Sequence, residues 1–221
     1  MIDRPLVSVI TPTWQRATLL RGCIENVRAQ TYRPLEHVIV SDGPDYGLTD
    51  RIKTLQIKEM EAGLFRGEHG TEPAPSGVLV RFVPLGRNWS SYLVDSFCAA
   101  PVTVGMLLAA GAYQTWLADD ERMEPDHIES LVDALEAIGA DFAYSRCALT
   151  WPSGRSAVIG TDPPQLGQIT NVLYRADLLK RGLYPFGAGM TSDWACIRRW
   201  MEAGATWAYT GRMTLTHRVD H

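Results

Sequence analysis

Asp119 and Asp120 stand side by side at the end of the apolar run Thr115-Trp116-Leu117-Ala118, with Glu121 next in line. A run of this type reads as a buried strand, bounded by Gly111 before it and by charge after it. Open α/β sheets bind ligands beyond the carboxyl ends of their strands. Two neighbouring acids there repel each other unless a cation or a hydrogen-bonded ligand compensates them. Oxygen-only ligation suits Mg²⁺ or Mn²⁺, ions that are usually shared with phosphates. The competing reading places the acids at a helix N-terminus, because Pro125 opens a helix a few residues later. Glu121 and Glu124 suit that reading. Asp119 and Asp120 suit it less, and metal–phosphate chemistry is the expectation for them.

Other residues at strand ends carry compatible chemistry, each beside an ordinary structural role. Asp42 can accept a hydrogen bond from a base edge or close an Asx-turn with Gly43. Trp14 can stack on a base or fill the core. Arg87, in Leu85-Gly86-Arg87-Asn88, suits a phosphate clamp, although a surface arginine is the default. Asp193 is the candidate base, and Ser192-Asp193 also reads as an ordinary helix cap and first turn. His217 has the chemistry of a metal ligand or phosphate donor, or is an exposed terminal histidine. The common location of Asp42, Trp14 and Arg87 at sheet ends links those three to Asp119 and Asp120.

The elements that must position these residues alternate. Strands are expected at Leu6–Thr11 (stopped by Pro12), Leu35–Val40, Val78–Pro84 and from Tyr113. Helices are expected from about Ala17 to Gln30, over Asp50–Ala62, and from Ser90 to Ala99. Pro101 is read as interrupting the last of these, with helix resuming through Leu108. Gly67–Gly77 is a polar Gly/Pro-rich loop. This β-α-β-α-β-α-β order over the first 120 residues predicts a mainly parallel sheet with helices on both faces. The order then changes. A helix is expected over Pro125–Ile138, then strands Phe142–Leu149 and Ala157–Gly160 joined by a hairpin turn, strand Ile169–Tyr174 and a short helix Ala176–Lys180. Tyr184–Met190 reads as a flexible loop, Ser192–Ala203 as a helix and Trp207–Tyr209 as a strand. The second half is therefore expected to hold an antiparallel excursion.

With 221 residues and 46% hydrophobic side chains, the chain suits one soluble globular domain. The longest apolar stretch, Pro101–Ala112, is too short to span a bilayer, and no secretory signal is visible, so a cytoplasmic protein is expected. Cys23, Cys98, Cys147 and Cys196 form no C-x-x-C pair and read as small buried hydrophobes. The net charge of -4 is unevenly spread: residues 168–221 carry seven Lys/Arg against four acids. That basic portion is permissive for an anionic partner.

Three blocks carry a family resemblance. Val7-Ser8-Val9-Ile10-Thr11-Pro12-Thr13-Trp14-Gln15-Arg16, Val38-Ile39-Val40-Ser41-Asp42-Gly43, and Tyr113 to Met123 with Pro125-Asp126 follow in the order of a family 2 glycosyltransferase. The chain resembles especially the small members related to spore-coat polysaccharide synthesis, over about residues 5–203. The resemblance implies a GT-A fold, a Rossmann-like, mainly parallel sheet flanked by helices with a small antiparallel acceptor-side portion. It implies one domain over 1–221, with a donor half to about 122 and an acceptor half from about 123. It places Pro12, Trp14 and Arg16 in the block lining the nucleotide, Asp42 at the uracil edge and Arg87 near base and phosphates. Asp119 is directed to ribose or sugar, Asp120 to Mn²⁺ or Mg²⁺, Asp193 to the general base, and His217 to the metal shell. The acidic block departs from the family's run of aspartates, reading Ala118-Asp119-Asp120-Glu121, and Ser192-Asp193 replaces the common Glu-Asp pair.

The implied activity is metal-dependent inverting transfer of a sugar from a nucleoside-diphosphate sugar, UDP-sugar favoured, to an acceptor hydroxyl. The acceptor is undetermined; an anionic glycan, a lipid-linked acceptor or, least, a modified nucleic acid is compatible with the basic C-terminal portion. Two alternatives stay open: a non-catalytic nucleotide-sugar binder and a sugar-phosphate nucleotidyltransferase. The second usually wants a Gly-rich phosphate loop after the first strand, and Pro12–Arg16 contains no glycine.

Overall fold

The computed structural model describes residues 4–45, 47, 78–90, 98–181 and 192–219. Strand β1 (Val7–Thr13) leads into helix α1 (Ala17–Arg28), followed by β2 (Leu35–Ser41) and β3 (Val78–Pro84). Helix α2 (Ala99–Leu108), strands β4 (Tyr113–Trp116) and β5 (Glu121–Met123) and helix α3 (His127–Ile138) come next. Strands β6 (Phe142–Thr150), β7 (Ser156–Ile159) and β8 (Leu173–Arg175), a 3₁₀ turn (Ala176–Lys180), helix α4 (Ser192–Glu202) and strand β9 (Trp207–Arg218) complete the described elements.

The strands join one sheet in the order β3-β2-β1-β4-β8-β6-β9-β5, with β7 on β6. β1, β2, β3 and β4 are mutually parallel, from Val7↔Leu35 and Val7↔Tyr113 onward. β8 pairs antiparallel with both β4 and β6, and β9 runs parallel to β6 but antiparallel to β5. The expected parallel first half and antiparallel excursion are both present.

Every residue of β2 is buried, as a parallel strand covered on both faces requires. Alternation along β1 divides the core in two. Val7 and Val9 pack with Leu20, Cys23 and Val27 of α1 and with Ile128, Leu131 and Leu135 of α3. Ile10 faces the other way, toward Val102 and Met106 of α2 and the Trp200 cluster of α4. There Tyr174 lies 4.8 Å from Trp200 and 5.7 Å from Trp116, centroid to centroid. This tilted aromatic packing anchors the strand that ends three residues before Asp119. Gly105 lets α2 lie close on β1, because a Cβ there would collide with the Ile10 side chain.

Several boundaries differ from expectation for clear reasons. β1 continues through Pro12 to Thr13. Its pairing with β4 ends at Ile10↔Trp116, so the nitrogen of Pro12 faces no continuing ladder and its missing N–H costs nothing. Pro101 does not interrupt α2 but lies in its first turn, where N–H groups have no helical acceptor. Glu121 belongs to strand β5, not to a helix start, and α3 begins at His127 rather than Pro125. The strand expected at Ile169–Tyr174 is reduced to Leu173–Arg175, and the one expected at Trp207–Tyr209 extends to Arg218. The helix expected over Asp50–Ala62, the loops Gly67–Gly77 and Tyr184–Met190, and most of the expected Ser90–Ala99 helix lie outside the described residues. No helix among the described residues is long and apolar enough to cross a membrane.

Candidate active site

β1 and β4 end together, with the Leu117 N–H donating to the Ile10 carbonyl at 2.9 Å. The chain segments leaving them therefore emerge side by side. The Thr13 hydroxyl donates to Asp119 Oδ2 at 2.7 Å. The Arg16 guanidinium spans both acids, with Nη1 2.9 Å from Asp119 Oδ1 and Nη2 2.7 Å from Asp120 Oδ2. The Asp119 side chain is 3% exposed, that of Asp120 13% and that of Arg16 39%. Burial pushes the Asp119 carboxyl up from its ordinary range, and the Thr13 hydrogen bond and the Arg16 charge pull it back.

The guanidinium thus occupies the place where two adjacent carboxylates demand a cation. Hard oxygen donors around a cation position fit Mg²⁺ or Mn²⁺. Among the described residues, no set of three or more His, Cys, Asp or Glu side chains is gathered to hold a metal alone. An ion at Asp120 would complete its shell with oxygens from a ligand and from water, the usual state of Mg²⁺ beside phosphates.

The second part of the site lies at the end of β2. Asp42 is buried, and its carboxylate accepts the backbone N–H groups of Trp89 at 2.8 Å and Ser90 at 3.0 Å. The side chain therefore reaches across to the segment after β3 instead of closing an Asx-turn with Gly43. The Asp42 N–H donates to the Thr13 carbonyl at 2.8 Å, which ties this corner to the acidic pair. Trp14 packs on Gly43: a Cβ there would lie 2.5 Å from the indole ring, and φ is +138°. Arg87 is exposed, with its guanidinium 5.3 Å from the centre of the Trp89 ring. Pro12, Trp14, Asp42 and Arg87 are thus collected around one corner, at the C-terminal ends of β1, β2 and β3.

A third part comes from the chain's far end. Glu121 and His217 are register partners of β5 and β9, and His217 Nδ1 lies 3.1 Å from Glu121 Oε1. The second oxygen of Glu121 accepts the Ala118 N–H at 2.9 Å, bracing the turn that carries Asp119 and Asp120. Burial raises the Glu121 carboxyl. The hydrogen bond to Glu121 raises the His217 imidazole, helped by the charges of Asp120 and Asp193. An imidazole held by a carboxylate through one nitrogen has its orientation and tautomer set for a role at the other.

Asp193 sits half-buried in the first turn of α4, with Oδ1 accepting the Trp194 N–H at 2.8 Å. Cys98 precedes helix α2. Its thiol is pushed up to about 12, first by burial and then by the charges of Asp193, Glu121, Asp42 and Asp119.

Sequence reasoning did not single out Thr13 or Trp89 and read Glu121 as a helix-start acid; the structure brings them against Asp119, Asp42 and His217 respectively. A hydroxyl at the last position of a strand, immediately before the Trp14-Gln15-Arg16 turn, is the available signal for Thr13. Nothing local distinguishes Glu121 from a helix-start acid, because its partner lies 96 residues away.

Residues 8–74 match the family described as "Glycosyl transferase family 2". An uncharacterised glycosyltransferase of Rickettsia conorii, RC0461, is 27% identical over 138 residues, covering 62% of this chain and 18% of that protein. Another, RP339 of Rickettsia prowazekii, is 24% identical over 137 residues, covering 62% of this chain and 34% of its own length. Residues 1–349 of TarS from S. aureus, in complex with UDP-GlcNAc, share the fold with a TM-score of 0.67 at 14% identity, over 97% of this chain and 59% of theirs. The mannosyltransferase PcManGT of Pyrobaculum calidifontis, in complex with GDP-Man and Mn²⁺, gives a TM-score of 0.64 at 16% identity, over 98% of this chain and 57% of its own. The chain thus spans only part of each protein it matches. The matched first strands and the shared architecture agree: residues 8–74 are similar to family 2 glycosyltransferases, and the chain has the GT-A fold of these solved structures.

Proposed function

We propose that this chain transfers a sugar from a nucleoside-diphosphate sugar, a UDP-sugar first, to an acceptor hydroxyl with inversion at the anomeric carbon. The observation that carries the reading is the Asp119–Asp120 pair, held by Thr13 and Arg16 beside the corner formed by Trp14, Asp42 and Arg87. The resemblance in fold to proteins solved with UDP-GlcNAc and with GDP-Man and Mn²⁺ supports a donor of this class.

In this reading Trp14 stacks on the base, and the free lone pairs of Asp42 meet its polar edge. Arg87 and Arg16 offer guanidinium groups to the two phosphates. Asp119 accepts from ribose or sugar hydroxyls, while Asp120, with His217 behind it, holds the divalent cation. When bound, that ion neutralises the charge growing on the departing diphosphate. Asp193 takes the proton of the attacking hydroxyl, and a positioned base of this kind contributes on the order of 10²–10⁴-fold. Attack from the face opposite the diphosphate, through an oxocarbenium-like transition state, inverts the configuration. The donor half to about residue 122 and the acceptor half beyond it divide these tasks. The basic balance of residues 168–221 favours an anionic acceptor.

The test combines binding and turnover. Thermal shift with UDP, GDP, dTDP and CDP, each with and without Mn²⁺, is expected to give a metal-dependent rise for one nucleotide that Asp120→Ala abolishes. Asp193→Asn is expected to keep that rise and lose transfer. A nucleotide response without transfer to any hydroxyl acceptor would favour a non-catalytic nucleotide-sugar binder.

A further inference from the structure

We propose that Arg16 is an exchangeable internal cation: it neutralises Asp119 and Asp120 until a nucleotide diphosphate draws it away, so that divalent ion and nucleotide bind cooperatively. This rests on the donor-site reading above and adds to it a coupling between the two ligands.

The geometry sets the guanidinium and a divalent ion in competition at the same pair of carboxylates. Asp120 Oδ2 is already 2.7 Å from Arg16 Nη2. Of the two oxygens of Asp119, one accepts from Thr13 and the other faces Arg16 Nη1. A divalent ion approaching Asp120 therefore meets a positive group already paired there and competes with it.

The exposures decide which partner moves. Carboxylates at 3% and 13% exposure are costly to leave without a counter-charge. The guanidinium, at 39% exposure on a long side chain, gives up its pairing more cheaply. Its position adds to this. Arg16 immediately precedes helix α1, whose first turn holds no acid and whose N-cap makes no side-chain hydrogen bond. A cation there opposes the helix dipole, so the helix end itself does not favour the guanidinium's resting place. A diphosphate offers the guanidinium a bidentate partner and is itself favoured at the same helix end. Departure of Arg16 to the diphosphate leaves Asp119 and Asp120 requiring a cation, and the divalent ion supplies it. Because linkage is reciprocal, each ligand tightens the other by one common factor.

Mn²⁺ binding, followed by electron paramagnetic resonance of the free ion, tests this without any turnover. Wild type is expected to bind Mn²⁺ weakly alone and about 5–150-fold more tightly with UDP, the ordinary range for coupled sites. Arg16→Gln is expected to bind Mn²⁺ alone roughly tenfold more tightly than wild type, because two desolvated carboxylates then lack a counter-charge, and to lose most of the UDP-induced gain. Arg16→Lys gives a second measure should Arg16→Gln fail to fold. An ammonium serves one carboxylate at a time, so this variant is expected to bind Mn²⁺ alone more tightly than wild type and less tightly than Arg16→Gln. Wild type that binds Mn²⁺ with UDP while the variants gain nothing for Mn²⁺ alone would overturn the exchange and leave the donor site standing. Absence of Mn²⁺ binding with UDP or GDP in every protein would overturn the donor-site reading and the exchange with it.

Discussion

Glu121 and His217 are 96 residues apart in the chain, yet they face each other across neighbouring antiparallel strands with imidazole Nδ1 3.1 Å from carboxylate Oε1. The contact clamps the acidic turn to the last strand. The other Glu121 oxygen takes the Ala118 N–H, so one buried side chain holds both the turn and the histidine.

That clamp has a pH signature. The His217 imidazole is raised above its ordinary value, chiefly by the Glu121 hydrogen bond. A raised folded-state value means that its stabilisation is complete below about pH 6.5, the unfolded value, and is lost as pH rises through the folded value. Melting temperature is expected to fall from pH 6.5 toward 8.5. Glu121→Gln should flatten that fall and return the His217 titration, followed by NMR, toward its ordinary value. An unchanged His217 titration in the variant would show that Glu121 does not hold it.

Gly43 supports Trp14 directly. A Cβ at Gly43 would lie 2.5 Å from the indole, and a φ of +138° is one that L side chains rarely adopt. Gly43→Ala is therefore expected to cost about 1–3 kcal/mol in urea unfolding, from backbone strain and overpacking together. It should also push Trp14 off its seat and weaken UDP binding, read from the quenching of tryptophan fluorescence. Equal stability and equal affinity in the variant would refute the packing argument.

Two further histidines set the acid limit. His37 and His127 are fully buried, and burial lowers them to about 3 and about 4. For a lowered imidazole the unfolded chain takes up the proton first, so stability falls as pH drops below about 6.5. His127 alone accounts for roughly 3 kcal/mol by pH 4, at 1.36 kcal/mol per pKa unit. The urea midpoint is expected to decline between pH 6.5 and 5, and His37→Gln should make that decline shallower. A slope unaffected by His37→Gln would mean that the imidazole is not held neutral.

Periodicity in the chain reveals the parallel first half well and the remainder less well. Leu35–Ser41 and Val78–Pro84 are short apolar strands whose neighbours in the sheet are also near in order, and their extents are legible to within a residue. β5 is three residues long and contains two charged side chains, so nothing marks it as a strand before β9 is known to lie beside it. β9 itself was visible only at its aromatic start. The stretch Gly211-Arg212-Met213 is exposed and breaks the alternation where the β6–β9 register shifts. Within the site, residue types were readable singly, as with Asp42 or Arg16. Their partners were not: the contact of Asp42 with residues 89 and 90 and that of Arg16 with both acids depend on which strand ends adjoin.

The position of β9, between β6 and β5 in the sheet, has a consequence for how the protein is born. During synthesis residues 7–41 and 113–116 emerge early, and β1, β2 and β4 find one another while the ribosome is still at work. Glu121–Met123 emerges with them but must wait for residues 207–218 before it has a strand to join. Domains build from the N-terminus as they are translated, and pairings between distant segments form slowly. The nascent chain therefore holds the ends of β1 and β2 together before it can brace its acidic turn. Bracing of the acidic turn is therefore a late step, completed when β9 enters between β6 and β5.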